Sequence, residues 1–193
     1  MRFFKRKKEE GKIQRNELCD IPIGSMVELT DLTTFALEEE ATPTFELIEY
    51  KKYEADNFLR YMYHLVSNDD EVILGVDVDT ALNEYNVARF IIDSEEEFTE
   101  PLGDTIVMEF EDPENNGEIV PVRYERNNIV NTKMTIVTGE GPEEYEDVEI
   151  QDYSAEDGSI LMVELWDSIF TFFIGESMER SSVNVFPMEK KKF

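Results

Sequence analysis

The chain has 193 residues, of which 41% are hydrophobic and 11% aromatic, and its formal net charge is -27. This apolar fraction can supply a core for one ordinary domain or two small ones, which argues against a wholly disordered chain. The single cysteine, Cys19, excludes an internal disulfide, and no apolar run reaches the roughly 18 residues that a membrane span needs.

The charges are distributed unevenly along the chain. Residues 1–15 hold seven Lys and Arg and two acids, residues 190–193 hold three Lys and no acid, and residues 16–189 hold eight Lys and Arg and 43 acids. The sequence therefore predicts a strongly acidic body with a short basic segment at each end. Such a body repels nucleic-acid backbones and anionic lipids, whereas the basic ends attract them.

The first half of the chain predicts a basic mobile arm, residues 1–18, followed by a small β unit, residues 19–94. Residues 31–40 fit either a helical turn or a strand, and residues 80–86 fit one helical turn. The polar cluster 67–70 predicts the turn of a hairpin. Alternating or aromatic-rich stretches predict strands at 25–29, 44–53, 58–66, 71–78 and 87–92.

The second half predicts an acidic joint at 95–100, a longer β unit at 100–188 and a basic tail at 189–193. Asn116-Gly117 favours a type I′ hairpin because both residues tolerate positive φ, so this unit gains a hairpin that the first unit lacks. Residues 176–180 fit one helical turn. The predicted strands are 105–110, 118–126, 131–138, 144–153, 159–166, 168–174 and 182–186.

Residues 45–75 and 145–175 align without a gap at an offset of 100. A similar tripeptide precedes each segment: Pro22-Ile23-Gly24 lies before the first and Pro101-Leu102-Gly103 before the second. Such a repeat indicates two related units, so we predict a mainly β (β-rich α+β) fold of two half-barrel or SH3-like units packed together, produced by internal duplication. A single mixed sandwich is the alternative. The seven identical positions are Glu46/Glu146, Glu49/Glu149, Tyr53/Tyr153, Ala55/Ala155, Met62/Met162, Leu65/Leu165 and Gly75/Gly175.

The chain holds few groups suited to catalysis or to metal and cofactor binding. His64 is the only histidine, which excludes multi-histidine metal sites and makes any Ser-His-Asp or Cys-His chemistry depend on this residue. There is no Gly-rich phosphate loop. Residues 112–117 imitate the start of a calcium loop, but Arg123 stands where that loop needs a bidentate glutamate. We expect no catalytic, metal or cofactor site. Four aspartates could hold a divalent cation weakly, although a solvated acidic face is the simpler explanation: Asp69, Asp70, Asp77 and Asp79.

The basic ends are the strongest candidates for a contact surface. Phenylalanine can enter the interfacial region of a bilayer while cations meet anionic headgroups, each cation contributing about 1 kcal/mol. This pattern predicts reversible attachment to an anionic membrane; a solubilising tail, or one that folds back on the acidic body, is the alternative. The predicted membrane- or partner-contact residues are Phe3, Phe4, Lys5, Arg6, Lys7, Lys8, Lys190, Lys191 and Lys192.

Several short strings, mostly within residues 20–80, carry a family resemblance. They are the Phe-Lys-Arg-rich start, Pro22-Ile23-Gly24, Arg60-Tyr61-Met62-Tyr63 and the predicted strand 71–78. In these strings the chain resembles YjfK-like bacterial proteins of unknown function, which are often encoded beside phage-shock-type membrane-stress proteins. The resemblance implies a cytoplasmic accessory protein near the membrane and transfers no catalytic motif.

These patterns together predict a cytoplasmic, non-enzymatic adaptor whose acidic body engages a protein partner, basic by charge, and does not bind nucleic acid directly. Its arm would make it membrane-peripheral, and we expect no secretory signal because no apolar segment follows the basic start. Two other functions stay open. An acidic mimic of DNA needs carboxylates in rows at phosphate spacing, and a carboxylate-only hydrolase needs two inward-facing acids in a cleft.

Overall fold

The computed structural model describes residues 18–30, 44–68, 70–79, 84–112 and 117–188. These residues are almost entirely β-structure, which confirms the predicted mainly β fold, and a short 3-10 turn, Arg180–Ser182, precedes the last strand. The strands are β1 Met26–Leu29, β2 Thr44–Ala55, β3 Phe58–Val66, β4 Glu71–Asp79, β5 Glu84–Glu97, β6 Thr105–Asp112, β7 Glu118–Thr138, β8 Gly141–Ala155, β9 Ser159–Trp166, β10 Ile169–Met178 and β11 Val183–Phe186.

Eight of these strands close an antiparallel, barrel-like ring. Hydrogen bonds connect them in the order β2-β3-β4-β5-β10-β9-β8-β7, and β7 returns to β2 in the register Tyr50 opposite Val137. The first half of the chain supplies β2 to β5 and the second half supplies β7 to β10. The two halves therefore join edge to edge, at β5–β10 and at β2–β7, within one continuous sheet.

Tight turns keep consecutive strands adjacent. Asp56 and Asn57 alone separate β2 from β3, and Asp167 and Ser168 alone separate β9 from β10. The φ angles of Asp167 and Ser168 are 50° and 65°, as in a type I′ turn. This turn type matches the right-handed twist of the strands that it connects.

One buried apolar cluster fills the interior of the ring, and each of the eight strands contributes to it. Successive side chains of a strand point to opposite faces, so one alternate set on each strand faces inward. The inward residues of this cluster include Tyr53, Met62, Ile73, Phe90, Met134, Ile150, Met162 and Phe173.

Two further clusters lie on the outside of the ring, one on each half. Residues 18–29 and β11 cover the outer face of β2 to β5, where the Tyr63 hydroxyl donates to the Leu18 carbonyl at 2.8 Å. Residues 98–104 and β6 cover the outer face of β8 to β10, where the Tyr153 hydroxyl donates to the Gly103 carbonyl at 3.2 Å. The similar tripeptides at 22–24 and 101–103 thus belong to two segments, each of which covers the outer face of its own half of the ring.

The aligned segments 45–75 and 145–175 share their strand order but not every residue position. Both run strand, turn, strand, turn, strand. Tyr53 nevertheless lies in the interior cluster, whereas Tyr153 lies in an outer one. The reason is that the turn between β2 and β3 has two residues and that between β8 and β9 has three, and a one-residue shift reverses the face of a strand residue. The duplication stays a prediction.

Some local predictions are wrong. The described part of the helical turn predicted at 80–86 belongs to β5, and β5 runs through the predicted joint as far as Glu97 because β10 pairs with it there. The turn predicted at 176–180 is β10 as far as Met178, and the two strands predicted at 118–126 and 131–138 are the single strand β7. Residues 31–40 lie outside the described residues. No helix in the described part of the chain is long and apolar enough to cross a membrane.

Candidate functional site

A pocket opens at the end of the ring where β2 passes into β3 and β4 stops. Its volume is about 270 Å³. Phe90 and Met162 from the interior cluster line it, together with Gly75, Ala88 and Ile160. The side chain of Ala88 is short, so space remains above the packed interior. We call this cavity the mouth pocket.

Arg60 on β3 holds two carboxylates at this pocket. Its Nε and Nη2 donate to the two oxygens of Asp77 at 2.5 and 2.8 Å, and its Nη1 and Nη2 donate to the two oxygens of Asp152 at 2.6 and 3.3 Å. Asp77 lies opposite Arg60 on β4, whereas Asp152 comes from β8. The guanidinium therefore binds both halves of the ring together in the paired geometry that suits carboxylates.

The environment of Arg60 keeps this guanidinium charged. Burial alone would lower the pKa of Arg60, but the hydrogen bonds and charges of Asp77 and Asp152 outweigh it and raise the pKa above its ordinary value. The Phe58 ring lies 5.1 Å from the guanidinium carbon and adds a cation–π contact. One cation thus faces two carboxylates, and the cluster retains one negative charge.

Amide and hydroxyl groups complete the polar lining of the mouth pocket. They belong to Asn86 at the start of β5, Asn127 and Asn128 in the middle of β7, and Ser177 near the end of β10. The pocket therefore combines an apolar floor with a polar, negatively charged opening, as small-ligand sites commonly do.

A second ion cluster lies deeper in the ring and spans its interior. Glu164 on β9 is 2% exposed, lies 2.7 Å from Lys51 Nζ and accepts a hydrogen bond from the Tyr53 hydroxyl, both on β2. Burial, and then the charge of Glu164, raises the pKa of Tyr53 well above its ordinary value, so this hydroxyl stays a donor. Lys51 and Tyr53 both bind Glu164, so we attribute to these three groups a role in the stability of the ring.

His64 lies toward the opposite end of the ring, between two glutamates. Its Nε2 is 2.5 Å from Glu71 Oε1 on β4, and its Nδ1 is 3.7 Å from Glu49 Oε1 on β2. The sole histidine of the chain therefore has carboxylates as its neighbours on both adjacent strands.

The sequence offered four aspartates for a divalent cation, Asp69, Asp70, Asp77 and Asp79. Asp77 is held by Arg60, and Asp69 lies outside the described residues. In the ranges described, no three His, Cys, Asp or Glu side chains come together in a way that could hold a metal ion. The predicted membrane-contact residues Phe3, Phe4, Lys5, Arg6, Lys7, Lys8, Lys190, Lys191 and Lys192 also lie outside the described ranges, so that prediction stays open.

Residues 90–122 form a stretch of the sequence with eleven carboxylates and no Lys or Arg. We call its described part, the end of β5, residues 98–104, β6 and the start of β7, the acidic flank. Exposed apolar side chains lie among the acids, with Ile92 47% exposed and Val107 58% exposed. The exposed acids are Asp93, Glu95, Glu96, Glu97, Glu100, Asp104, Glu109, Glu111 and Glu118.

Few cations are left to neutralise this flank. Of the eight Lys and Arg residues in the described ranges, seven form ion pairs with carboxylates, and Arg180 donates to the Val183 carbonyl at 2.9 Å. Asp104 is the flank member that gains a cation, Arg126. The seven pairs are Lys51–Glu164, Lys52–Glu54, Arg60 with Asp77 and Asp152, Arg89–Glu176, Arg123–Glu125, Arg126–Asp104 and Lys133–Glu146.

Sequence reasoning named Asp77 but missed Arg60 and Asp152. These two residues are 92 positions apart, and only the closure of the ring brings them together. Comparisons with protein-family models, with curated proteins and with solved structures find no match. The function is therefore argued from the geometry and charge of the chain itself.

Proposed function

We propose that this protein is a non-enzymatic binding protein whose acidic flank engages a basic partner protein. The observation that carries the proposal is the charge distribution: residues 90–122 hold eleven carboxylates and no Lys or Arg, and apart from Arg126, which pairs with Asp104, the ion-paired cations have partners outside the flank. Unpaired surface carboxylates of one sign steer a partner of the opposite sign and raise its association rate.

The apolar side chains of the flank favour a protein as that partner. Ile92, Phe98 and Val107 are each more than a third exposed and stand among the acids. Protein interfaces commonly combine an apolar centre with a polar rim. A small ion would use the carboxylates alone, whereas a protein surface with both basic and apolar groups would use both parts of the flank.

The paired carboxylates support a binding role over hydrolysis. Asp77 and Asp152 face the mouth pocket together, and all four of their oxygens contact Arg60. A carboxylate-only hydrolase needs one such group as a proton donor, whereas both of these accept hydrogen bonds from the guanidinium. Glu164 is similarly occupied by Lys51 and Tyr53.

The basic arm forms the second part of the proposal, contact with an anionic membrane. The acidic body would repel such a surface, so attachment would depend on the cations and phenylalanines at the two ends. The resemblance to YjfK-like proteins supports the same location.

The proposal is tested by capture on the immobilised full chain. We expect basic proteins to be retained at low salt and released at about 1 M salt, where the Debye length falls to about 3 Å. The triple variant Glu95→Gln, Glu96→Gln, Glu97→Gln should not retain these basic proteins. A matched variant, Glu140→Gln, Glu144→Gln, Glu156→Gln, removes three exposed acids elsewhere and should retain them.

The competing outcomes are distinct. Retention of no basic protein, or equal retention by both triple variants, would show that the flank is not the binding surface. Release of the captured protein by added duplex DNA would indicate that the flank occupies a DNA-binding groove, the function of a DNA mimic.

A further inference from the structure

We infer that the mouth pocket binds one primary ammonium group on a short alkyl stem. This ligand class lies beyond the proposed function, because the mouth pocket is formed by the ring interior and not by the acidic flank. Three observations support it: the charge of the ion cluster, the shape of the cavity and the composition of its opening.

The charge of the cluster calls for one further cation. Arg60 compensates only one of the two carboxylates that it holds, and Asp77 and Asp152 keep 40% and 23% of their side chains exposed. A carboxylate offers about four lone-pair positions, so both can accept additional hydrogen bonds beside those from Arg60. An anion would meet two carboxylates here and is excluded by repulsion.

The shape of the cavity sets the size of the ligand. Its volume of about 270 Å³ lies just below the range of about 300–1,000 Å³ that is common for drug-sized ligands. Phe90, Met162 and Ile160 provide apolar contacts beneath the carboxylates. An alkyl chain of a few carbons would fill this floor while its ammonium group reached Asp77 and Asp152.

The opening of the pocket suits an ammonium group in particular. An alkylammonium has three N–H donors and no acceptor. Asp77 and Asp152 supply acceptors at the opening, and Asn86 and Asn128, which also line the pocket, lie opposite them on the neighbouring strands. A free amine and a lysine side chain of another protein share this chemistry, and the experiment separates them.

The test is an NMR titration of the full chain that follows the side-chain amides of Asn86, Asn127 and Asn128. We expect n-butylammonium to cause saturable shifts at these amides, and n-butanol, which keeps the stem but lacks the charge, to bind at least about tenfold more weakly, a factor that corresponds to the loss of one charged contact. Nα-acetyl-lysine methylamide is the third probe. If it binds like butylammonium, the pocket accepts a lysine side chain; if only butylammonium binds, the ligand is a free amine.

Two variants keep the inference falsifiable. Ala88→Leu fills the cavity without changing any charge and should abolish the butylammonium shifts, and Asp152→Asn should weaken them. Asp167→Asn, an exposed aspartate in the β9–β10 turn, is the matched control and should leave binding unchanged. Thermal melts establish that each variant is folded.

Equal binding of butanol and butylammonium would overturn the inference. So would undiminished binding by folded Ala88→Leu protein, or shifts centred away from the three asparagines. None of these outcomes depends on a protein partner, so a failure here is distinguishable from a failure of the acidic flank to bind one.

Discussion

Phe90 on β5 lies between two glycines, Gly75 on β4 and Gly175 on β10, which form one of the seven identical pairs of the aligned segments. A Cβ at Gly75 would lie 2.6 Å from the Phe90 ring. A Cβ at Gly175 would lie 2.3 Å from the Arg89 carbonyl oxygen and 2.5 Å from the same ring. Both glycines therefore make room for one aromatic side chain, and this pair of identities has a structural cause.

The two glycines predict different responses to alanine. Gly75→Ala should cost about 1–3 kcal/mol by overpacking, and Phe90→Leu should restore much of that loss because the obstacle is a side chain. Gly175→Ala should cost more and resist rescue, because its obstacle includes the Arg89 backbone. Urea denaturation measures both, with Gly139→Ala, which meets no atom within 4 Å, as the control. Equal rescue of both variants would contradict this explanation.

Cys19 should react slowly with alkylating reagents. Burial, and then the Asp20 carboxylate, raises the pKa of its thiol above the ordinary value. The thiolate is the reactive form, so at about pH 8 a raised pKa leaves less of it than in free cysteine, whose pKa is about 8.5. The rate of alkylation by iodoacetamide, measured over a series of pH values, gives the pKa of the Cys19 thiol.

Asp20→Asn provides the matched variant for Cys19. Asp20 has a φ of 49°, a conformation that asparagine tolerates, so the backbone should be preserved. Removing the carboxylate should lower the pKa of Cys19 and speed alkylation at a given pH, without reaching the rate of free cysteine because burial persists. An identical pH profile in both proteins would show that Asp20 has no influence.

Among the strands, β2 and β9 are joined through the interior by Lys51, Tyr53 and Glu164 rather than by backbone hydrogen bonds. Glu164→Gln leaves the Lys51 charge uncompensated, and breaking such a buried pair costs about 3–5 kcal/mol when both groups are enclosed. Lys51 is 22% exposed, so we expect the lower end of that range. Adding Lys51→Met should recover part of the loss, because no unpaired charge remains.

A double-mutant cycle in urea measures this coupling between Lys51 and Glu164. The exposed pair Lys133–Glu146 connects neighbouring strands and is the control, and Glu146→Gln should leave stability unchanged within error. A stability loss for Glu164→Gln no larger than that for Glu146→Gln would show that the interior link contributes little.

The strands themselves were largely predictable, and their arrangement was not. Strands at 58–66 and 159–166 have the predicted bounds because runs rich in apolar and aromatic residues lie between clear turn signals. The sequence pattern favours helical turns at 84–86 and 176–178 because their strand pairings, of 84–86 with β4 and of 176–178 with β5, are not encoded locally. Ring closure pairs Tyr50 with Val137, and the mouth pocket depends on that same non-local contact.

Over the whole molecule, the described residues hold 35 carboxylates and eight Lys and Arg, so they carry the full formal charge of -27. Repulsion among like charges destabilises a compact state, and salt screens exposed charges more than buried pairs. We expect the melting temperature to rise between about 0.01 M and 1 M NaCl, over which the Debye length shortens from about 30 to about 3 Å.

The origin of that salt effect can be located with the flank variant. Glu95→Gln, Glu96→Gln, Glu97→Gln removes three adjacent exposed charges and should melt higher than wild type at low salt, with a smaller gain on adding NaCl. A melting temperature that falls with NaCl would mean that ion pairs such as Arg60 with Asp77 outweigh the repulsion.

The opposed charges of body and ends also predict how the whole chain behaves at a membrane. Deleting residues 2–8 removes five cations, Arg2, Lys5, Arg6, Lys7 and Lys8, and two phenylalanines. Since each cation contributes about 1 kcal/mol near an anionic surface, the deletion should abolish sedimentation with anionic liposomes. The matched variant Phe3→Ser, Phe4→Ser keeps every charge and should weaken sedimentation without abolishing it, because only the apolar insertion is lost. Wild-type protein should not sediment with zwitterionic liposomes. If the deleted and complete chains sediment equally with anionic liposomes, attachment does not come from the arm, and the membrane part of the proposed function is wrong.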